Sequence, residues 1–396
     1  MANILIVTHW TGGDVIPFIR MGKVLKQNKH DVTIFTHCVY EKLAVESGLQ
    51  FVALDTEEEH REMTDNLMLL SDPIHNLQGT VTFNEKFHNY EKLINEYEKI
   101  IAYCDRSDTV IIFRHRSSIS ALIAAEKHNI PVASVFLAPN YIDHLSIHEM
   151  IMGEIMLIEI NKARIKLELE PIKNWTEWIC SPEISIGLWP DWFADKGDEW
   201  PSSLVTLDFH QNEDENSPQI PEELAELFST DEKLIIISGG TSKMIKPEFY
   251  QVAHDTCYML GLKALLVIPH DELIPISIKS GIAVRKHIPL KEVMHYAKAI
   301  IHHGGIGTLS EAVYAGIPQL ILPFYADRSD NAARLAKYGI AEFLPVAMWK
   351  PAFLAEALLR LFQPGTLKKC RDFSQKAKNQ NFSDKINRII EQMVKK

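Results

Sequence analysis

Residues 300–331 read IIHHGGIGTLSEAVYAGIPQLILPFYADRSDN, and this segment carries the strongest structural signal in the chain. An apolar run ends at His303, and Gly304 and Gly305 then permit a tight turn and a close approach of the backbone. Thr308 precedes an apolar helical pattern, where its hydroxyl can cap the helix or donate to a phosphate. A glycine-rich turn before a helix presents free N–H groups and the positive end of the helix dipole, so the segment predicts an anion site.

Short apolar runs and helical patterns alternate in both directions from this segment. We predict strands near residues 4–7, 30–35, 51–54, 110–113, 132–136, 234–237, 264–268, 300–301 and 320–323. Strands that alternate with helices indicate βαβ units and therefore parallel sheets.

A polar, acidic stretch at residues 208–221 interrupts this alternation and is closed by prolines, so it predicts a linker. We therefore expect an α/β protein with two Rossmann-like, doubly wound parallel-sheet domains facing a cleft. The N-terminal domain would span residues 1–207 and the C-terminal domain residues 222–375. The last segment, residues 376–396, is a candidate to pack back onto the N-terminal domain.

Composition excludes several functional classes. The formal net charge of −11 lacks the basic surplus that is typical of nucleic-acid binders, so we expect no nucleic-acid partner. Five widely spaced cysteines without a CxxC pair predict reduced thiols and no zinc site. The N-terminus lacks a basic signal-peptide region, and no apolar run approaches the ~18 residues of a membrane span. We therefore expect a cytoplasmic protein without a transmembrane segment.

A second candidate site, HWTGGDVIPF at residues 9–18, follows the first predicted strand. Open α/β sheets bind ligands at the carboxyl ends of their strands, which is where this segment lies. It lacks a GxGxxG pattern and therefore does not predict a dinucleotide site. Asp14 either caps the helix before Pro17 or acts chemically, and His9 either packs at the strand end or acts as a base.

Residues 300–331 resemble the donor-binding signature of the inverting nucleotide-sugar glycosyltransferases of the GT-B fold. This superfamily includes plant UDP-glycosyltransferases, sterol glucosyltransferases and antibiotic aglycone glycosyltransferases. Its shared pattern is His-x-Gly-x-x-(Ser/Thr), then Glu, an Ala-Gly-x-Pro turn, a Pro and an acid-Gln pair. The matching positions are His303, Gly305, Thr308, Glu311, Ala315 to Pro318, Pro323 and Asp327.

The resemblance implies a metal-independent hexosyltransferase that needs no cofactor and uses a nucleotide-diphosphate sugar as co-substrate. Two loops would contact the donor diphosphate: His303, Gly304, Gly305, Gly307 and Thr308 in one, and Gly240, Thr241 and Ser242 in the other. Glu311 would contact the ribose, and Asp327 would contact the transferred sugar.

Two departures from the family pattern leave the donor's identity open. Arg328 stands where the family has Gln, and Arg only donates hydrogen bonds and carries charge, so a charged, amino or otherwise modified sugar is compatible. His287 and Ile288 fall where the family recognises the nucleobase, but His287 replaces a Trp and Leu290 a Gln. Uridine, thymidine and guanosine donors all stay open.

Residues 9–18 resemble the family's glycine-rich N-terminal loop, in which a His or an Asp shortly before the Pro serves as the base. The resemblance implies that Asp14 accepts the proton of the acceptor hydroxyl, with His9 as the next candidate. No Asp among residues 113–116 is present to orient a catalytic His, which favours Asp14. The residues expected to contact a small-molecule or lipid acceptor are Trp10, Gly13 and His115.

Two other functions are compatible with this fold. A GT-B nucleotide-sugar 2-epimerase would show further acidic residues and histidines around the cleft in place of the HHGGxGT block. A non-catalytic auxiliary protein of a partner glycosyltransferase would bind the donor without turnover. A Rossmann dehydrogenase is disfavoured because the dinucleotide fingerprint is missing.

Overall fold

The computed structural model describes residues 1–70, 76–198, 200–209, 222–228, 234–241, 243–325, 327–379 and 381–395. The chain forms two compact units, one of residues 1–210 with 381–396 and the other of residues 211–380. The predicted linker therefore lies largely outside the described residues, since only its first two positions are among them.

The described strands are β1 (Asn3–Val7), β2 (Asp31–Thr36), β3 (Gln50–Ala53), β4 (Thr109–Arg114), β5 (Val132–Phe136), β6 (Ile184–Gly187), β7 (Leu204–Thr206), β8 (Ile235–Ser238), β9 (Ala264–Val267), β10 (Ile282–Arg285), β11 (Ala299–His302), β12 (Gln319–Ile321) and β13 (Ala341–Phe343). The described helices are α1 (Gly12–Gln27), α2 (Glu41–Glu46), α3 (Glu57–Asn66), α4 (Leu77–Phe87), α5 (Tyr90–Ile101), α6 (Ile119–His128), α7 (Asn140–Asp143), α8 (Leu145–Lys166), α9 (Trp175–Ile179), α10 (Glu222–Phe228), α11 (Glu248–Met259), α12 (Leu290–Met294), α13 (Ile306–Ala315), α14 (Arg328–Lys337), α15 (Pro351–Leu361), α16 (Pro364–Lys378) and α17 (Phe382–Val394). Short 3-10 turns lie at Cys38–Tyr40, Leu67–Leu70, Asp271–Leu273 and Val346–Met348.

The first unit contains a parallel sheet with the strand order β3-β2-β1-β4-β5-β6-β7. Strand order reverses between β1 and β4, because β2 and β3 extend to one side and the later strands to the other. Doubly wound sheets bind ligands beyond the carboxyl ends of the strands at such a point. The loops after β1 and β4 are therefore the expected position of a site.

Helix α17, at the end of the chain, belongs to the core of the first unit. Its buried side chains Ile386 and Ile390 join the cluster that contains Phe18 of α1 and the apolar residues of β1 and β4. Asn387 also accepts a hydrogen bond at 2.9 Å from His30, which lies just before β2. The helix therefore stabilises the first unit although the second unit precedes it in the chain.

The second unit contains a parallel sheet with the strand order β10-β9-β8-β11-β12-β13. Its order reverses between β8 and β11, so the loops after these two strands occupy the equivalent position. The prediction of two doubly wound parallel sheets is confirmed. The sequence patterns missed β6, β7, β10 and β13, which are short strands at or near a sheet edge, where apolar runs are weak.

None of the described helices combines the length with the apolar content that crossing a bilayer requires. All five cysteines are described and none of them is in a disulfide.

Candidate active site

His9 lies at the end of β1 and makes two hydrogen bonds through its ring. Its Nε2 is 2.9 Å from Glu96 Oε1, and its Nδ1 is 2.9 Å from Ser118 Oγ. Glu96 is on α5 and Ser118 precedes α6, so both partners are remote in sequence. The sequence patterns missed Glu96, since it is one of several charged residues on an amphipathic helix.

The partners of His9 determine which of its ring nitrogens is basic. Ser120 donates to the second oxygen of Glu96 at 2.7 Å, and burial raises the pKa of Glu96, but His9 and Ser120 outweigh this and lower it. Glu96 is therefore ionised at neutral pH and can only accept hydrogen bonds. His9 consequently donates through Nε2, so in the neutral ring the Nδ1 lone pair faces the hydroxyl of Ser118.

Asp14 is held by four donors in the first turn of α1. Oδ1 accepts hydrogen bonds from Nε and Nη2 of Arg114 at 3.0 and 2.7 Å. Oδ2 accepts from the backbone N–H of Thr11 at 3.2 Å and from its hydroxyl at 2.9 Å. The helix begins at Gly12, not near Pro17 as predicted, because Asp14 stabilises its N-terminus from the third helical position.

Arg114 connects the two loops that flank the reversal point of the sheet. Besides Asp14, its guanidinium donates to the carbonyl of His115 at 3.1 Å and to Ser117 Oγ at 3.2 Å. The whole residue is buried and its guanidinium lies 5.5 Å from the ring of Tyr141. The pair of Asp14 and Arg114 therefore fastens the β1 loop to the β4 loop.

The three predicted acceptor residues have different surroundings. Trp10 stacks on Phe83 with ring centroids 5.5 Å apart, and Gly13 is exposed at the start of α1. His115 is buried against Phe136, with ring centroids 3.9 Å apart. Burial, and then the charges of the adjacent arginines, hold the pKa of His115 well below its usual value, so this side chain is neutral.

A small cavity of about 30 Å³ lies beside the His9–Glu96 pair. Its polar lining residues are Asn84, His88, Lys92, Glu96, Arg116, Ser117 and Glu159, and its apolar ones are Phe87, Leu93, Ile119, Ile155, Met156 and Ile160. Glu96 thus contacts both His9 and the cavity. Helix α8 supplies three of the apolar residues, Ile155, Met156 and Ile160.

His37, Asp55 and His60 carry ligand atoms within 4.8 Å of one another, a spacing compatible with a metal ion. Their hydrogen bonds argue against one. His37 Nε2 accepts the N–H of Trp10 at 2.7 Å, so the ring proton is on Nδ1, 2.6 Å from Asp55 Oδ2. A metal on Nδ1 would displace this proton and leave an imidazolate. The two ligand atoms of one zinc ion also lie roughly 3 Å apart, which is farther than the 2.6 Å between His37 Nδ1 and Asp55 Oδ2.

In the second unit, adjacent histidines at the end of β11 have different roles. His302 accepts the N–H of Gly304 at Nδ1, 3.1 Å away, and donates from Nε2 to Gln319 at 2.9 Å. His303 is 9% exposed, and its Nδ1 has no hydrogen-bond partner among the described residues. A buried polar atom without a partner is unfavourable, which points to a ligand at His303.

Two glycines with left-handed backbone leave space for the ring of His303 and for the turn beside it. Gly240 has a φ of +82°, and a Cβ there would lie 2.7 Å from Cε1 of His303. Gly304 has a φ of +93°, and a Cβ there would lie 2.9 Å from the carbonyl oxygen of Arg328. Any other residue would be strained and would collide at both positions.

Arg328 is buried beside this turn at the first position of α14. Its Nη1 donates to the carbonyl of Met244 at 2.7 Å, in the loop that follows β8. Burial, and next the charge of Arg328, hold the pKa of His303 well below its usual value, so the imidazole is neutral. The fixed positive charge at this turn is therefore on Arg328 and not on His303.

Asn331 links the starts of helices α13 and α14 and was not singled out from the sequence. Its Nδ2 donates to the carbonyl of Gly304 at 3.1 Å and to Asp327 Oδ2 at 2.6 Å. The residue is fully buried, and its Oδ1 has no hydrogen-bond partner among the described residues. Asp327 is the N-cap residue of α14, four positions before Asn331, so the two side chains lie on the same side of the helix start.

The remaining predicted donor residues lie at the same sheet edge. Gly305 is the N-cap of α13, Gly307 and Thr308 are in its first turn, and Glu311 is buried in its second turn. Thr241 accepts a hydrogen bond from His270, which follows β9, at 3.0 Å. His287 and Ile288 follow β10, and His287 is exposed. Ser242 lies outside the described residues.

Two protein families match separate parts of the chain. Residues 4–147 match the glycosyltransferase family 28 N-terminal domain. Residues 268–395 match the family described as erythromycin biosynthesis protein CIII-like, C-terminal domain. The first match covers the loops of His9 and Arg114, and the second covers the turn of His303 and the start of α14.

Individual proteins show the same relationship. The sterol 3-beta-glucosyltransferase of Pichia angusta is 22% identical in an alignment of 412 residues that includes 89% of this chain. The chain spans 24% to 30% of the length of the first sterol glucosyltransferases that it matches. The solved glycotransferase of kitacinnamycin covers 99% of the chain, and the chain covers 99% of it, with a TM-score of 0.77 and 16% identity. For the glycosyltransferase VinC in complex with DTDP, both coverages are 99%, the TM-score is 0.73 and the identity is 16%.

Proposed function

The chain belongs to the UDP-glycosyltransferase superfamily of the GT-B fold, and we propose that it transfers a sugar from a nucleotide-diphosphate donor to a hydroxyl of a small, largely apolar acceptor. The observation that carries this proposal is the turn between β11 and α13. It combines a helix N-terminus and a buried guanidinium with a buried imidazole nitrogen that no described residue contacts by a hydrogen bond. These are the groups that a diphosphate would satisfy together.

In the proposed donor complex, His303 and the N-terminus of α13 donate hydrogen bonds to the diphosphate. His303 is neutral and contributes an N–H, whereas Arg328 contributes the positive charge. Arg328 is drawn towards the Met244 carbonyl in the β8 loop. This direction favours a role on the phosphates over a role in recognising a charged sugar, which was one interpretation of the departure from Gln.

We propose that transfer is a single displacement with inversion. The acceptor oxygen forms a bond to the anomeric carbon as the bond from that carbon to the β-phosphate oxygen breaks, and the nucleoside diphosphate leaves with the electron pair. Arg328 and the helix dipole meet the charge that develops on the leaving group. Because these groups supply the positive charge, the proposed reaction needs no metal ion.

The acceptor hydroxyl must lose a proton, and His9 is the base that the contacts favour. Glu96 fixes the tautomer of His9 and would stabilise the imidazolium, as an acid partner does in other catalytic pairs. Ser118 is fully buried, so we propose that the loop after β4 opens when the acceptor binds, and that Ser118 then passes its own proton to His9 Nδ1 as it takes the proton of the acceptor. Asp14 is the alternative base, but an acceptor hydroxyl would have to displace one of its four donors.

The acceptor class follows from the cavity beside Glu96. Its six apolar side chains would enclose an apolar body, while Glu96, Arg116 and Ser117 would face a polar end. The match to sterol glucosyltransferases and the likeness to a kitacinnamycin glycotransferase both support an aglycone of this kind. The cavity of about 30 Å³ is much smaller than any such aglycone, so binding would require α4 or α8 to move.

The donor's base is open to direct measurement. His287 is exposed in the loop where a nucleobase would stack, and VinC was solved with thymidine diphosphate. The test is a thermal-shift panel on the full chain with UDP, TDP, GDP, their monophosphates and NAD. A ligand present at 100 times its Kd stabilises the native state by about 2.7 kcal/mol.

A shift with one nucleoside diphosphate that is lost in His303→Ala would support the donor site. That nucleotide's sugars would then be offered with sterols and polyketide aglycones, with release of the nucleoside diphosphate as the readout. Absence of any shift in a folded sample would contradict the proposed donor site. Binding without transfer to any acceptor would favour the auxiliary protein over the enzyme.

A further inference from the structure

Three neighbouring strand ends of the first unit carry a continuous hydrogen-bonded chain. Asp55 follows β3, His37 follows β2 and Trp10 follows β1, in the order in which these strands lie in the sheet. Asp55 Oδ2 is 2.6 Å from His37 Nδ1, and His37 Nε2 is 2.7 Å from the backbone nitrogen of Trp10. Asp55 also accepts the backbone N–H of Cys38 at 2.8 Å, which fixes its second oxygen.

The direction of these hydrogen bonds is determined by their chemistry. A backbone N–H only donates, so His37 accepts at Nε2 and must donate to Asp55 from Nδ1. The imidazole is therefore neutral and in one tautomer. Burial lowers the pKa of His37 below its ordinary value, although the bond to Asp55 opposes this. Asp55 and His37 are both about nine-tenths buried, so water competes little for these bonds.

Trp10, the last residue of this series of hydrogen bonds, has an unusual backbone conformation. Its φ is +89°, in the left-handed region that residues other than glycine seldom occupy. Its ring stacks on Phe83 and meets His88 edge-on, with centroids 5.0 Å apart. Such a conformation persists where its surroundings impose it, and strained residues of this kind cluster at functional sites.

We propose that His37 and Asp55 are positioning residues, which hold Trp10 in its left-handed conformation and thereby fix the directions of His9 on one side and Thr11 on the other. His9 is the residue before Trp10, and Thr11 anchors Asp14 at 2.9 Å. A change at Trp10 would rotate the peptide groups that set both candidate bases. The consequence for catalysis rests on the proposed function, but the positioning itself does not.

A second interpretation assigns the same residues to a metal ion. The Trp10 N–H occupies the lone pair of His37 that a neutral metal ligand would need, and the proton on Nδ1 occupies the other nitrogen. Positioning explains both hydrogen bonds, and a metal explains neither. Adding zinc to the purified protein is therefore expected to leave its melting temperature unchanged, and a saturable rise that is lost in His60→Phe would overturn the assignment.

The test is hydrogen–deuterium exchange of the full chain at neutral pH, which needs no substrate. His37→Phe keeps the ring volume and removes the acceptor for the Trp10 N–H. We expect exchange in peptides covering residues 8–16 to rise about tenfold or more, while peptides of the second unit exchange as in wild type. His37→Gln retains an acceptor oxygen, and we expect it to restore most of the protection.

The outcomes separate a positioning role from ordinary packing. Unchanged exchange at residues 8–16 in His37→Phe would overturn the proposal, and so would an equal loss of protection in His37→Gln. If His37→Phe does not fold, Asp55→Ala, which leaves the ring in place and removes its Nδ1 partner, is measured instead and is expected to raise exchange in the same peptides. Once an acceptor is known, His37→Phe should lower kcat about tenfold with an unchanged donor KM, because a misplaced base slows chemistry without weakening donor binding.

Discussion

Glu96 Oε1 lies 2.9 Å from His9 Nε2, although 87 positions separate these two residues in the chain. An ionised carboxylate therefore accepts a hydrogen bond from a histidine at the end of β1, beside one cavity of the first unit. This pair changes which side chain of the N-terminal loop we expect to act as the base.

We predict that His9→Gln lowers kcat for transfer at least ~100-fold, within the range for loss of a general base. Glu96→Gln and Ser118→Ala should each lower kcat by about 10- to 100-fold, since His9 stays in place. Asp14→Asn keeps the size of the side chain and one oxygen that can accept from Arg114, and it should lower kcat less than His9→Gln does. Steady-state kinetics with the donor that the thermal-shift panel identifies would measure all four. A larger loss in Asp14→Asn than in His9→Gln would return the role of base to Asp14.

Replacing Arg114 tests the structural role of Asp14. Arg114→Met leaves a carboxylate whose side chain is 18% exposed without its cation, so we expect a loss of about 2 to 3 kcal/mol in the free energy of unfolding. The double variant with Asp14→Asn should lose less than the sum of the two single variants, because the pair is coupled. Arg106→Met, which breaks an exposed pair with Asp31, is the matched control and should cost below ~1 kcal/mol. Additive losses in urea unfolding would refute the coupling.

The donor site predicts a specific phosphate dependence for Arg328. Arg328→Gln restores the family's residue and removes the buried positive charge, so the affinity for the nucleoside diphosphate should fall by about 10- to 100-fold. Affinity for the nucleoside alone should change little. Calorimetric titration measures both, and Arg334→Gln on the same helix, where Arg334 pairs with Asp330, is the control. A variant that binds the diphosphate as tightly as wild type would assign Arg328 to the sugar instead.

Acid should destabilise the second unit through His302. Burial lowers the pKa of His302 to about 4, so the folded state holds this ring neutral while the unfolded chain binds a proton below about pH 6.5. Above about pH 6.5 this ring is neutral in both states and costs no stability. As the pH falls from 6.5 towards 4, the free energy of unfolding decreases by about 1.4 kcal/mol per pH unit. In His302→Gln the free energy of unfolding should depend less steeply on pH between 6.5 and 4. Parallel pH dependences in urea unfolding would count against this assignment.

Helix α17 should be indispensable to the first unit. Ile390→Ala removes a fully buried side chain from the core that α17 shares with α1, and we expect a cost of about 2 to 5 kcal/mol. Arg388→Ala, on the exposed face of the same helix, should change the stability by less than ~0.5 kcal/mol. Thermal unfolding should show the loss in the transition of the first unit. Equal effects of the two substitutions would mean that α17 is not part of that core.

The sequence was sufficient for the parts of this protein that depend on neighbouring residues. Apolar runs that alternate with helical patterns predicted the two parallel sheets, because a central strand of a parallel sheet is buried on both faces. The turn at His303 was predicted from adjacent residues as well, because two glycines directly before a helical pattern permit a tight turn. The outer strands β7 and β13 were missed since an edge strand of three residues has too few buried side chains to form a pattern.

What tertiary structure alone decided is the pairing of side chains from distant elements. Arg114 reaches Asp14 and Asp55 reaches Trp10 through His37, because a doubly wound sheet gathers the carboxyl ends of its strands at one edge. Glu96 reaches His9 from helix α5, which packs against α6. Strand order, which no local pattern records, determines which ends become neighbours. The sequence by itself therefore determined the fold and the glycine-rich turn. The proposal of His9 over Asp14 as the base, and the placement of the charge of Arg328 beside a neutral His303, depend on the packed structure, in which burial and hydrogen bonds set the state of each group.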